Sequence, residues 1–162
     1  MSENKTPAIA RAAVRLFVPQ PYLRVDNAEL AIAFYIAAFN AQLVVKLVEP
    51  NGRVAHAELR MGNQGEASLM LSDEYPESNL LGPNARGGSS VAMQLYVDNV
   101  DALCERAQAA GGTIMKPPST DPFGDRGMKL MDPCGHEWLV SERVETITPE
   151  EMHARFNKMF AQ

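Results

Sequence analysis

His56 and Glu58 stand two positions apart in Arg53-Val54-Ala55-His56-Ala57-Glu58-Leu59, a stretch that alternates apolar and polar side chains. Such alternation fits a strand, and residues two apart on a strand share a face, so imidazole and carboxylate would lie side by side. The pair suits proton transfer. An unperturbed imidazole titrates at about 6.5, and a carboxylate beside it fixes which ring nitrogen holds the proton. The competing reading is structural: a histidine positioned by Glu58, with no chemistry attached. Tyr22 with Arg24, and Gln94 with Tyr96, make two further same-face pairs. Together they offer phenol, guanidinium and amide groups to a small ligand, with Arg24 as an anion contact. Arg24 and Glu58 would equally neutralise one another across a sheet, which needs no ligand.

These pairs are placed by a duplication. Tyr22-Leu23-Arg24-Val25-Asp26-Asn27 is answered by Gln94-Leu95-Tyr96-Val97-Asp98-Asn99, 72 positions later (97 minus 25). Asn40 before Ala41-Gln42-Leu43 is answered by Gly112 before Thr113-Ile114-Met115 at the same offset (112 minus 40). One offset held over a strand, a cap and a helix end marks two copies of a unit, each completing the other's core. The expected consequence is a cavity between them.

Each copy reads strand, helix, strand, strand, strand. In the first, Pro21 to Val25 alternates, and Asp26 with Glu29 resembles a capping box for a helix that Asn40 ends in a left-handed conformation. Gln42 to Val48 and Val54 to Met61 flank Pro50-Asn51-Gly52, whose Asn-Gly pair supplies the positive φ angles of a tight hairpin, and Glu66 to Ser72 is the fourth strand. The second copy has Val91 to Val97, a helix from Asp98 to Ala110 with Asp101 placed like Glu29, and Gly111-Gly112 as the stop. Lys116 to Asp125, with three prolines, reads as a stiff loop where the first copy has its tight turn, and loops of that length are often functional. Gly127 to Met131 and Glu137 to Ser141 complete the copy. Strand parity turns Leu23, Val25, Met93, Leu95, Val97 and Trp138 toward the helices, and Tyr22, Arg24, Gln94, Tyr96, His56 and Glu58 away from them.

Three segments stand outside the repeat. Residues 1–19 form an N-terminal extension whose Ile9 to Val18 is apolar enough to dock. Residues 75–90, with Pro76, Pro83 and Gly87-Gly88, are a connector that either arches over a binding site or bridges the copies. In residues 143–162, Thr148-Pro149-Glu150-Glu151 starts a helix strongly, and Met152, Phe156, Met159 and Phe160 give it an apolar face for packing on the body or a second subunit. The chain is thus expected to be a single domain over 1–162, with modules at 20–74 and 91–142. His136 braces a turn, and His153 faces solvent.

Composition excludes several partners. A chain of 162 residues with 46% hydrophobic content can bury one sizeable core unaided. Net charge −5, with scattered Lys and Arg, argues against nucleic acid, and no apolar run approaches the roughly 20 residues of a membrane helix. Cys104 and Cys134 lack metal or redox spacing, and with no signal sequence both read as free thiols of a cytoplasmic protein. Phosphate loops and nucleophile elbows are absent.

The paired units, the Val-Asp-Asn start of each helix, and Asp125-Arg126-Gly127 through Asp132-Pro133-Cys134-Gly135-His136 resemble the vicinal-oxygen-chelate superfamily of glyoxalase I, bleomycin- and fosfomycin-resistance proteins and extradiol dioxygenases. Arg53 to Leu59, Asp121-Pro122-Phe123-Gly124-Asp125-Arg126, and Val144-Glu145 leading into Thr148 to Met152 are similar to its PhnB-like branch. The resemblance implies an α+β fold of two tandem βαβββ modules forming a curled mixed sheet around a cleft, plus a C-terminal helix, in a homodimer. It also implies a divalent ion, held in metal-dependent members by a His near the start of each first strand and an acid in each fourth strand. Carried over, those positions are Gln20 and Ala92, Leu139 and a residue near Leu71, so no cofactor is expected. Glu137 shares Leu139's strand face, which makes it a ligand-binding candidate and, with His56, the one route to a rearranged metal site. The expected function is metal-free binding of a small polar or aromatic metabolite; the alternative is an isomerase, lyase or dioxygenase using that rearranged site or His56 and Glu58. One fold hosts many activities, so the choice must come from the site.

Overall fold

The computed structural model describes residues 19–62 and 67–161. The expected docking of Ile9 to Val18 and the start of a strand at Glu66 lie outside the described residues. Module one runs β1 (Tyr22–Val25), α1 (Ala28–Phe39), β2 (Gln42–Val48), β3 (Val54–Met61) and β4 (Ala67–Asp73). A connector follows, with a 3-10 turn (Pro76–Ser78) and the short helix α2 (Pro83–Arg86). Module two runs β5 (Ala92–Tyr96), α3 (Val100–Ala109), β6 (Thr113–Thr120), β7 (Asp125–Met131) and β8 (Glu137–Arg143), and α4 (Pro149–Met159) ends the chain.

Both modules have the same topology, with sheet orders β1-β4-β3-β2 and β5-β8-β7-β6. The first and fourth strands of each pair in parallel and the other neighbours antiparallel. The strands therefore form two four-stranded mixed sheets, one per module, rather than a single continuous one. The modules join where α1 packs on α3.

The helices begin one residue later than Asp26 and Asp98 led us to expect. Asn27 Oδ1 accepts from Leu30 N at 3.0 Å and Asn99 Oδ1 from Ala102 N at 2.8 Å, so the asparagines are the caps. A carboxylate from the end of each fourth strand also reaches each helix start: Ala28 N donates to Asp73 Oδ1 at 2.7 Å and Val100 N to Glu142 Oε2 at 3.1 Å. These acids take up amides the helix leaves unpaired and sit at the positive end of its dipole. Asn40 closes α1 at φ 53°, as its type predicts.

The hairpin tips correct the sequence reading twice. In the first tip only Gly52 takes a positive φ, 91°, and among the described residues the non-glycines with positive φ are Asn40 and Asn79. Gly52 N donates to Glu49 O at 2.9 Å and Glu49 N to Arg53 O at 2.8 Å, which closes a longer tip than a two-residue Asn-Gly turn. In the second tip, Asp121 N donates to Asp125 O at 2.8 Å and Gly124 has φ 94°. Pro50 and Gly52 correspond to Pro122 and Gly124 at the 72-residue offset, so the expected long loop is absent. Pro117 and Pro118 lie inside β6 instead, where the register slips between Lys116 and Ser119. β6 is an edge strand, and prolines are tolerated at an edge bulge because no ladder hydrogen bond is lost.

The core is one cluster between the helices and the inner sheet faces, and the expected parity holds for Leu23, Val25, Leu59 and Trp138, with Met93, Leu95 and Val97 packed against it. Trp138 packs edge-on against Phe39, with centroids 4.8 Å apart, and against Tyr35 at 5.6 Å. α4 is capped by Thr148, as expected, but buries none of its residues. It rests on the second hairpin tip, where Arg155 Nη1 donates to Pro122 O at 2.9 Å and Phe156 meets Phe123. His153 is exposed, as expected. Among the described residues no helix is long and apolar enough to cross a membrane.

Candidate functional site

Because Ala57 and Leu59 are buried against the helices, alternation turns His56, Glu58 and Arg60 to the opposite face of β3. Tyr22 and Arg24 share that face from β1, opposite Met70 and Ser72 of β4. The four predicted residues of module one meet there. Tyr22 Oη lies 3.0 Å from His56 Nδ1, and His56 Nε2 lies 3.1 Å from Glu58 Oε1. The Tyr22 and His56 rings are tilted, with centroids 5.6 Å apart, and the Arg24 guanidinium sits 4.8 Å from the Tyr22 centroid on a cation–π contact. Arg24 also donates to Ser72 Oγ, which donates to Asp73 O at 2.8 Å. The described contacts thus give Arg24 to Ser72 and Tyr22, and Glu58 to His56, in place of the direct neutralisation considered from sequence.

Module two presents a different set. Gln94 Nε2 donates to Ser141 Oγ at 3.0 Å. Tyr96 Oη donates to Asp125 Oδ2 at 2.8 Å and accepts from Arg143 Nη2 at 3.1 Å, and Arg143 Nε pairs with Asp125 Oδ1 at 2.6 Å. The hydrogen bond to Tyr96, then the nearby Asp125, hold the Arg143 guanidinium above its ordinary range. Glu137 pairs with Lys129 Nζ at 2.7 Å. Ser72, Ser141, Asp125 and Arg143 escaped the sequence reading. The two serines would have emerged from aligning β4 with β8, which are offset by 69 (141 minus 72) and not by 72.

These faces are open. Tyr22 is 43% and Tyr96 52% exposed, Gln94 is exposed, and Arg24, His56, Glu58 and Glu137 are half-buried. Tyr22 and Arg24 border a cavity of about 490 Å³ that is also lined by connector residues including Gly82 and Arg86, and by Met93 and His136 at the module junction. The connector therefore contributes to the wall of a concavity. Tyr96 borders a different cavity of about 500 Å³, with Phe39, Leu95, Asn99 and Arg106.

The positions that the resemblance assigns to a divalent ion do not fit one. β8 aligns with β4 so that Leu139 corresponds to Met70 (139 minus 69), while Leu71 is buried against the helices; the acidic position of module one is therefore Met70, not Leu71. Gln20, Ala92, Met70 and Leu139 supply no carboxylate or imidazole, and hard divalent ions favour such donors. Among the described residues no three His, Cys, Asp or Glu side chains gather as a metal site.

His136 has a larger part than bracing its own turn. Its Nε2 lies 3.0 Å from the carbonyl oxygen of Arg24, which ties the β7–β8 turn of module two to β1. That turn is organised by buried Asp132, whose Oδ1 accepts from Cys134 N and His136 N, both at 2.9 Å. Its Oδ2 accepts from Tyr35 Oη and, at 3.4 Å, from Trp138 Nε1. Burial first, then the Asp26 contact, push the Cys134 thiol up to about 12, and burial also raises Cys104. Neither thiol is activated as a nucleophile.

Residues 13–140 match the family model of the glyoxalase/bleomycin resistance protein/dioxygenase superfamily. The chain is 34% identical over 137 residues to "Uncharacterized protein Mb0911c" of Mycobacterium bovis, covering 83% of this chain and 88% of that protein. It is similar in fold to a glyoxalase-related enzyme from Fulvimarina pelagi, at 23% identity and TM-score 0.62 over 79% of this chain and 88% of that one. The PhnB protein from Bacillus cereus aligns at 18% identity and TM-score 0.58, over 76% and 98% of the two chains.

Proposed function

Since this chain belongs to the glyoxalase/bleomycin resistance protein/dioxygenase superfamily, we propose that it binds a small polar or aromatic metabolite against the outward faces of its sheets, without the divalent ion of its metal-dependent relatives. The observation that carries this reading is the module-one cluster. Tyr22, Arg24, His56 and Glu58 are held by one another and by Ser72, and the first two border a cavity of about 490 Å³. That volume lies in the range that encloses a small molecule, and its few polar groups are of the kind that fix orientation. Arg24 supplies the anion contact, and the Tyr22 ring supplies a stacking surface.

The test is a thermal-shift screen of the full chain with benzoate, 4-hydroxybenzoate, catechol and small oxyacids. A ligand at about 100 times its dissociation constant adds about 2.7 kcal/mol of stability. Arg24→Ala is expected to abolish a shift caused by a carboxylate and to leave one caused by a neutral phenol. An unchanged carboxylate shift would remove Arg24 from the site. Metal analysis of protein purified without chelators is expected to find no stoichiometric ion, and an ion lost from both His56→Ala and Glu137→Ala would instead establish the rearranged centre. The enzymatic reading is favoured by one contact, that between His56 and Glu58.

A further inference from the structure

The contacts around Tyr22 form a chain with a direction. Glu58 is acceptor-only when ionised, so the 3.1 Å contact at His56 Nε2 places the imidazole proton on Nε2. Nδ1 is then a bare lone pair, and the group 3.0 Å from it is the Tyr22 hydroxyl. Tyr22 is the exposed end of this chain, whereas the side chains of His56 and Glu58 are only 22% and 15% exposed. A hydroxyl held by an imidazole, itself oriented by a carboxylate, is the general arrangement that activates an oxygen for proton transfer or attack. Arg24 adds positive charge over the ring that would carry the phenolate's negative charge. From sequence alone, His56 is the expected base. The geometry points elsewhere, because both ring nitrogens of His56 are occupied and Tyr22 alone turns a free edge outward.

We infer that Tyr22 is a general base that works through a Tyr22–His56–Glu58 relay, taking a proton from an acidic carbon of a bound aromatic or carbonyl compound. The inference rests on the proposed binding of such a metabolite against this face. In the step, the Tyr22 hydroxyl proton passes to His56 Nδ1, leaving an imidazolium hydrogen-bonded to Glu58. The phenolate oxygen takes the substrate's proton, and the electron pair of the broken C–H bond stays with the substrate. The imidazolium then loses its added proton to water, restoring the starting state. Tyr22 is the catalytic residue, while His56 and Glu58 are positioning residues that act through it. Among the described residues, the charged groups sharing the relay's face are Arg24 on β1 and Glu58 and Arg60 on β3. The facing positions on β2 and β4 are Val45, Leu47, Met70 and Ser72.

Two measurements on the full chain test this. Nitrogen-15 NMR of the imidazoles reads the tautomer without any ligand. His56 is expected to carry its proton on Nε2, and a proton on Nδ1 overturns the relay. The second uses 5-nitrobenzisoxazole, in which removal of the ring C–H proton forms the nitrile, breaks the N–O bond and releases a coloured cyanophenolate, with no metal or oxidant required. Binding is followed separately with the unreactive isostere 5-nitroindazole. Tyr22→Phe is expected to bind 5-nitroindazole as the parent does and to lose about 10²-fold or more in elimination rate. Glu58→Gln keeps a hydrogen-bonding group but not the charge. It should lose less and shift the pH at which the rate falls, a change that a purely structural role would not produce. If 5-nitroindazole binds and elimination is absent, or is as fast in Tyr22→Phe, the relay is overturned while the binding reading stands. If 5-nitroindazole does not bind, the binding reading fails for this ligand class, and the tautomer alone decides the relay.

Discussion

At the scale of single residues, polar groups in this chain fall into two kinds, those that close on themselves and those that leave an edge free. Asp132 is the first kind. It is 4% exposed, and its two oxygens accept four hydrogen bonds from two backbone amides, a phenol and an indole. Asp132→Asn would turn an amide donor toward Tyr35 and Trp138, themselves donors, or toward the turn amides. An unsatisfied buried donor costs about 1–3 kcal/mol, and here at least one partner on each side is also left unmet. The variant is expected to lose about 2–4 kcal/mol in urea unfolding followed by Trp138 fluorescence. A loss within experimental error of zero would mean that the turn holds without this carboxylate. Tyr22 is the second kind. The distinction was only partly legible in the sequence: alternation put Tyr22, Arg24, His56 and Glu58 on one face. That Tyr22 lies against His56 depends on the pairing of β1 with β4 and of β4 with β3, which no local pattern encodes.

At the scale of elements, the repeat was legible as far as its spacing stayed constant. The 72-residue offset holds from β1 through the helix to the hairpin tip, and it carried the fold reading. Beyond the tip it fails. Leu59 corresponds to Leu130 at 71 and Leu71 to Val140 at 69, because module two has one residue fewer before β7 and two fewer in the β7–β8 turn. Ser72 and Ser141 were missed for that reason, and the edge prolines of β6 were read as loop because local sequence does not say which strand ends up at an edge. The two tips also make a matched test of strain. Gly52 and Gly124 have φ of 91° and 94°, but a Cβ at Gly52 would meet nothing, whereas at Gly124 it would collide with the Glu145 carbonyl. Gly52→Ala is expected to lose about 1 kcal/mol, the conformational penalty alone, and Gly124→Ala about twice that or more. Gly124 O accepts from Val144 N and Glu145 N at 2.9 and 3.0 Å, so the second variant should also speed amide exchange in α4. Equal losses for the two alanines would show that the segment before α4 yields freely.

At the scale of the whole molecule, two sheets with no strand pairing between them among the described residues could behave as two folding units or as one. The packing argues for one. α1 of module one lies on α3 of module two, and His136 reaches back to the Arg24 carbonyl. Trp138, on a module-two strand, is packed by Tyr35 and Phe39 from module one. The single tryptophan therefore stands at the junction and reports on both halves. Each module also buries surface of the other, since Phe39 covers Trp138 and Gly112 approaches Phe34 too closely for a side chain. Urea unfolding followed by Trp138 fluorescence and by far-ultraviolet circular dichroism should then trace one coincident transition. Phe39→Ala should lower its midpoint, by about 3–5 kcal/mol of stability, with no separation of the two probes. A fluorescence change that precedes the loss of secondary structure would mean that the modules part before they unfold. The faces on which Tyr22 and Tyr96 stand would then be held by two independent bodies, and a ligand touching both modules should bring the two transitions back together.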